Sequence, residues 1–303
     1  MDSFEMLPEH IVSEIKKFLE GKKEEYKISD NFENPILRDD VFVLLEAHSV
    51  VVYFPLEDEG NYGFHVTRTL RNKKVEFVYI NTAQPLSNQI FTAGHELGHI
   101  WELDKFLSEK LEIDLAIDDL GERAMNRFAA ELMAPPEVFI NYLYKLVRDI
   151  PHEKQASNNS YSFELPDFIQ LIIELMNKFM LPYKTIILRL LELNEIPPNL
   201  ATALLDDGVR KAGVDDFISK AITASGYSKI TKSTNIKVIK GKEGESFSDI
   251  LNTAERMSVV DDSIIQSVRS DFEYYASVLA DSFSGVPMPS ITMNQEGAKA
   301  DGI

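Results

Sequence analysis

The chain has 303 residues, 44% of them hydrophobic, enough for one large domain or two to three small ones with a real core. Acids outnumber bases 49 to 31 and the net charge is −18, so a phosphate backbone repels this chain and a basic protein partner suits it better. Cysteine is absent, which excludes disulfides and thiolate ligands, restricts any metal to His, Asp or Glu, and fits a reducing cytoplasm.

The opening stretch MDSFEMLPEHIVSEIKKFLEGKKEEYK has no basic start followed by an apolar run, so no signal peptide is expected. No uncharged apolar stretch approaches a bilayer-spanning length, so no membrane span is expected either. Ile11, Ile15, Phe18 and Leu19 recur at helical spacing and predict a helix over 8–21. A second helix is expected through PILRDDVFVLLEAHS, with Val41, Leu44 and Leu45 inward. VVVYFPL, GFHVTRTL and KVEFVYINT are β-branched and aromatic and read as three strands. The turn TAQPLSNQ follows, then a helix over about 87–103.

Residues 104–121 are acidic and loosely patterned. The helix GERAMNRFAAELMA stops at Pro135-Pro136, where PPEVFINYLYKLVRDI begins another. The polar stretch PHEKQASNNSYSFELP reads as a linker or surface loop and marks the first domain boundary. Phe168, Leu171, Ile172, Leu175 and Phe179 line one apolar helix beyond it; Ile186, Ile187, Leu190 and Leu191 line the next. The run 227–242, with five lysines and no acid, reads as a solvated connector or strand face. A last helix is expected over 261–283, and disorder from Gly285 onward. The resulting division is 1–155, 160–225 (helical, helix-turn-helix-like), 226–284 (mainly helical) and a tail over 285–303.

The chemistry concentrates in TAGHELGHIWEL, where His95-Glu96-Leu97-Gly98-His99 matches H-E-x-x-H. Histidines four apart on a helix stand about 40° apart around its axis, so both can reach one ion. Glu96 projects near the same edge, within reach of a water at that ion. Ala93, Leu97, Ile100 and Trp101 form a separate core face. The helix can thus pack and still present its ligands. Catalytic zinc takes three protein ligands and leaves one position open. Glu122, opening the next long helix, is the favoured third ligand, with Asn126 one turn later placed to hydrogen-bond a ligand histidine or the carboxylate. Glu131 is the main competitor; it lies about 180° round the helix from Glu122, so the two cannot serve one site. Asp118 and Asp119 sit in the preceding loop and are less well held. Phe128 and Leu132 read as core.

His10 and His48 are most simply surface or cap residues; His65 lies on a strand and His152 in a polar loop. Each is a minor candidate for stabilising a transition state, as is the strand residue Tyr79.

INTAQPLSNQIFTAGHELGHI followed by ERAMNRFAAELMAPPEVF resembles the ImmA/IrrE family of metallopeptidases. Ile80-Asn81, His95 to His99, Glu122, Asn126, Phe128, Ala129, Leu132 and Pro135 carry the likeness. It is strong over roughly 40–140 and weaker for FMLPYKTIILRLLELNEI, which is similar to the helix-turn-helix-like segment often found after the peptidase domain. Ala124 stands where many members carry an acid, and Leu132-Met133-Ala134-Pro135 replaces the usual Leu-Leu-Met-Pro; neither removes a proposed ligand. Residues 200–303 carry no likeness.

The resemblance implies an α+β fold, with a small antiparallel or mixed sheet packed on the H-E-x-x-H helix as a zincin-like core and mostly helical C-terminal regions. It implies a cytoplasmic, gluzincin-like endopeptidase in which His95, His99 and Glu122 hold zinc (or another divalent metal such as Mn2+) and Glu96 is the general base. The implied substrate is a DNA-binding repressor of a mobile element or stress regulon. Direct nucleic-acid binding through 165–196 is disfavoured, because Lys178, Lys184 and Arg189 face Glu164, Asp167, Glu174, Glu192 and Glu195. The rival class is a metal-stabilised binding or sensor module that does not cut. An intact Glu96 speaks against it, because a structural zinc needs no base and usually has four protein ligands.

Overall fold

The computed structural model describes residues 6–28, 36–55, 62–70, 73–149, 153–155 and 160–206, with isolated helical positions between 218 and 270. His152, the lysine-rich run and the tail from Gly285 lie outside the described residues; of the helix expected over 261–283, Asp262, Ser263, Ile265, Gln266, Arg269 and Ser270 are described, all helical.

Helix α1 (Glu9–Glu25) buries the expected stripe, with Ile11, Val12, Ile15 and Leu19 inward. Phe18 is half-buried and packs on Phe106 and Phe128, at ring-centroid distances of 5.0 and 6.2 Å. The second expected helix is shorter than its pattern. Arg38 has φ 51°, so Arg38–Asp40 forms a 3₁₀ turn and α2 runs only over Val41–His48. A left-handed residue cannot continue a right-handed helix.

Strands β1 (Val50–Phe54), β2 (Gly63–Leu70) and β3 (Lys73–Asn81) form one mixed sheet in the order β1-β3-β2. β1 is parallel and β2 antiparallel to the central β3. The register places Val51 and His65 beside Val78, and Tyr53 and Gly63 beside Ile80. Side chains alternate across a strand, so these residues share one face. That face packs on α3 (Leu86–Ile100): Val51, Val78 and Ile80 join a buried cluster with Ile90, Ala93 and Leu97. Tyr79 and Phe64 pair on the opposite face, with ring centroids 5.1 Å apart.

The β3–α3 turn is fixed by Asn81, which is fully buried. Its Oδ1 accepts from the Ala83 N–H at 3.0 Å, and Gln89 Nε2 donates to the Gln84 carbonyl at 2.7 Å. Both bonds satisfy loop groups that burial would otherwise leave unpaired, and they set where α3 starts.

Trp101 ends α3, and Glu102, with φ 61°, turns the chain into α4 (Leu103–Leu111). This helix lies in the stretch read as loosely patterned. Helix α5 (Leu120–Met133) crosses α3, with Phe128 and Leu132 buried as expected. Gly98 makes the crossing close: a Cβ there would stand 2.8 Å from Met125 Sδ and 3.0 Å from Phe128 Cδ1. Helix α6 (Pro136–Asp149) follows, and the polar stretch after it carries a small hairpin of β4 (Glu153–Gln155) and β5 (Ser160–Ser162).

The apolar pair is α7 (Leu165–Phe179) and α8 (Tyr183–Glu192), with α9 (Pro198–Leu205) after it. Their buried residues, Ile172, Phe179, Ile187 and Leu190 among them, belong to the same cluster as α1 and α3 to α6. The architecture is α+β: a small mixed sheet on the motif helix, flanked by helices, in a zincin-like layout. Among the described residues no helix is long and apolar enough to cross a membrane.

Candidate metal centre

Helix α3 carries two faces at once. Ala93 and Leu97 are fully buried in the core and Trp101 nearly so, while Ile100 is half-buried. His95 and His99 stand one turn apart on another face, with ring centroids 5.1 Å apart and each about six-sevenths covered. Because Gly98 lets α5 lie close, the first turn of α5 overhangs this face. Glu122 Oε2 is 3.2 Å from His95 Nε2, and Oε1 is 3.7 Å from His99 Nε2. The three ligand atoms lie within 4.8 Å of one another.

This donor set fits a divalent cation. Ligands about 2.1 Å from a tetrahedral ion stand about 3.4 Å apart, close to the spacings between Glu122 and both histidines. Asn126, one turn after Glu122, holds the geometry from behind: its Oδ1 lies 2.9 Å from His95 Nδ1. With Nδ1 donating to that oxygen, the His95 lone pair is on Nε2, on the side where Glu122 stands.

The electrostatics tie the three groups to one another. Burial alone would depress the His95 imidazole, but the Glu122 carboxylate and the Glu96 charge outweigh it and raise His95 to about 9. His99 lies below its ordinary value, through burial first and then repulsion from His95. The hydrogen bond from His95 holds Glu122 below the usual carboxylate range. A divalent ion held by these residues would compete with protons for the same atoms, and its binding would displace the His95 proton.

Glu96, next to His95, is 5% exposed and points toward β2, where His65 Nδ1 is 3.7 Å from its Oε2. The His65 ring also stacks on His99, with centroids 4.9 Å apart at 21°. Of the minor candidates among the described residues, His65 alone is placed at the site. Its signal in the sequence was the strand alternation that aligns it with Gly63, but the sheet register was needed to aim that face at α3. Gly63 allows the approach, since a Cβ there would meet Thr92 Cγ2 and the Tyr79 carbonyl, both at 2.6 Å. Tyr79 faces away from α3, His10 is exposed, and His48 packs on Tyr26 with centroids 4.3 Å apart.

The competitor Glu131 stands elsewhere. It is 2% exposed and accepts from Arg189 Nη2 at 2.9 Å and Nη1 at 3.1 Å, and from Arg127 Nε at 2.9 Å and Nη2 at 2.7 Å. Both of its oxygens are engaged by guanidinium groups, which excludes it from the histidine cluster. Arg189 is itself fully buried, so it offers no charge to a phosphate.

Residues 45–191 match the model of a peptidase family described as the IrrE N-terminal-like domain, a stretch that includes the sheet, both histidines, Glu122 and the α7–α8 pair. No curated protein and no solved structure matches the chain. The match covers just under half of the chain and supports a metallopeptidase domain of the ImmA/IrrE type over residues 45–191.

Proposed function

We propose that this protein is a zinc endopeptidase of the cytoplasm that cuts a specific protein partner, a basic DNA-binding repressor, with His95, His99 and Glu122 as metal ligands and Glu96 as general base. The observation that carries the reading is the meeting of His95, His99 and Glu122 within 4.8 Å, with Glu96 on the adjoining edge of the same helix. His, His and carboxylate, with no cysteine, is the ligand set of catalytic rather than structural zinc, and it leaves a coordination position open.

When bound, the ion supplies Lewis acidity that activates water and polarises the scissile carbonyl. Glu96 takes the proton of the attacking water and delivers it to the leaving amine. One residue past His95, it is turned about 100° aside and is poorly placed to displace a histidine. Asn126 fixes the His95 tautomer, and the sheet and α5 shield the site on two sides.

The test is Glu96→Gln assayed for zinc content, partner binding and partner cleavage. Zinc and binding persist, and cleavage falls by roughly 10² to 10⁴, the usual worth of a general base. A Glu96→Gln protein with full biological output and a partner that is never cut overturns the enzyme reading in favour of a binding module.

The partner's basic character is inferred from the charge of −18 and from Asp104, Glu109, Glu112, Asp114 and Asp119, all exposed on the segment between α3 and α5. Association with such a partner slows between low and physiological salt. A rate flat across that range, or tight binding to duplex DNA, contradicts it.

A further inference from the structure

The metal-peptidase reading uses His95, His99 and Glu122. It leaves a second group of possible ligands beside them: His65, Glu96 and His99 also offer ligand atoms within 4.8 Å of one another. We propose that His65 and Glu96, with His99 at their side, form a second and weaker divalent-cation site whose occupation by excess zinc silences the peptidase. The proposal rests on the metal-peptidase reading of the same cleft.

Three observations support it. His65 Nδ1 and Glu96 Oε2 stand 3.7 Å apart, near the about 3.4 Å expected between two ligands of a tetrahedral ion. The pair is anchored on different elements, the edge strand β2 and helix α3, and the close approach at Gly63 fixes β2 against Thr92 of α3. His65 keeps 27% of its side chain exposed, on an edge strand, so an ion arriving from solvent can reach it.

The site is weaker for two reasons. His99 belongs to both groups, so once the first ion holds it the second has only two protein ligands and must complete its shell with water. A second divalent charge a few ångströms from the first is also repelled by it. Occupation is inhibitory because Glu96 cannot coordinate a cation and accept a proton with the same oxygen.

The experiment titrates Zn2+ alone into the metal-free, full-length chain and counts bound ions by equilibrium dialysis and calorimetry. The wild type shows two classes, a tight one and a weaker one. His65→Ala and Glu96→Gln, changes on separate elements, each keep the tight class and lose the weak one. In cleavage assays, filling the weak class lowers the wild-type rate by roughly 10² or more, the contribution of a general base. The His65→Ala rate, compared with its own value at one equivalent, does not fall. A single class in the wild type, or a weak class unchanged in both variants, overturns the second site. Loss of the tight class is a separate outcome, read from His95→Ala and Glu122→Gln, and bears on the metal-peptidase reading instead.

Discussion

Helix α5 carries two buried-side carboxylates nine positions apart, and they do opposite work. Glu122, in its first turn, reaches across to His95 and His99 and keeps 43% of its side chain exposed. Glu131, near its last turn, is closed off between Arg127 and Arg189 and also faces Lys16 at 4.0 Å. Arg189 adds the Ala134 carbonyl, at 2.8 and 3.0 Å, and Glu192 Oε2, at 2.9 Å, while Arg127 meets Glu192 Oε1 at 3.3 Å. Two guanidinium groups and two carboxylates thus neutralise each other at the α5–α8 contact. At Glu122 the partners are imidazoles that can release a proton and accept an ion. The same side chain is free to serve as the proposed ligand where its partners are exchangeable and is a structural tie where they are permanently charged.

The largest effect that separates the two is at the metal. On the proposed ligand set, Glu122→Gln removes the anionic ligand and leaves two histidines, a poor set for zinc. Zinc content falls well below one per chain and cleavage is abolished, while thermal stability of the metal-free protein changes little. Equal zinc in Glu122→Gln and wild type, measured by metal analysis after dialysis, would return the search for the third ligand to other acids.

Glu131→Gln has the complementary outcome. It leaves two buried guanidinium groups short of a charge, and breaking a buried pair from one side typically costs about 3–5 kcal/mol. Denaturant unfolding reads that loss, and zinc stoichiometry stays at the wild-type value in the protein that remains folded. Acid sharpens the contrast. Burial would raise the Glu131 carboxyl, but Arg189 and then Arg127 outweigh it and hold it below its ordinary 4.5. A carboxylate lowered on folding contributes stability that is present above its unfolded value and lost as pH falls through the folded one. The wild type therefore loses stability below about pH 4.5 more steeply than Glu131→Gln does. Parallel acid profiles for the two proteins would count against the ion-pair account.

What the sequence made legible follows from the range of the interactions. The H-E-x-x-H spacing and the Ala93/Leu97 core face are local to one helix, and periodicity reveals both. Glu122 and Asn126 were reachable because α5 is amphipathic and its apolar face leaves them on one side. The tie at Glu131 was not, because its partner Arg189 is 58 positions away and no local pattern pairs them. His65 needed the β2–β3 register, which a strand's own alternation does not give. Helix α4 escaped because left-handed residues, Glu102 and Glu112, bound it at both ends with no side-chain cap. Only Leu103 and Leu107 on it are buried, too few for a visible stripe. The division expected after residue 155 rests on the polarity of one stretch, and buried residues on both sides of that stretch share one cluster.

The smallest effect concerns Asn126, which belongs to the Glu122 side of the comparison without touching the ion. Its oxygen accepts from His95 Nδ1 at 2.9 Å, and that bond fixes both the tautomer and the ring plane of a proposed ligand. Replacing Asn126 with Ala frees the ring to turn and lets the proton move to Nε2, the nitrogen the ion needs. Losing such a supporting hydrogen bond typically costs about 10- to 100-fold in metal affinity. Asn126 is half-buried and lies outside the apolar cluster, so unfolding stability should change far less than in Glu131→Gln. Chelator competition measures the affinity. Because Asn126 acts only through His95, saturating zinc should restore most of the cleavage rate in Asn126→Ala, and Asn126→Asp, which keeps an acceptor in place, should recover affinity without excess metal. Glu122→Gln should gain nothing comparable from added zinc. An Asn126→Ala protein with wild-type zinc affinity, or one whose cleavage stays lost at saturating zinc, would show that Asn126 is not acting by orienting His95.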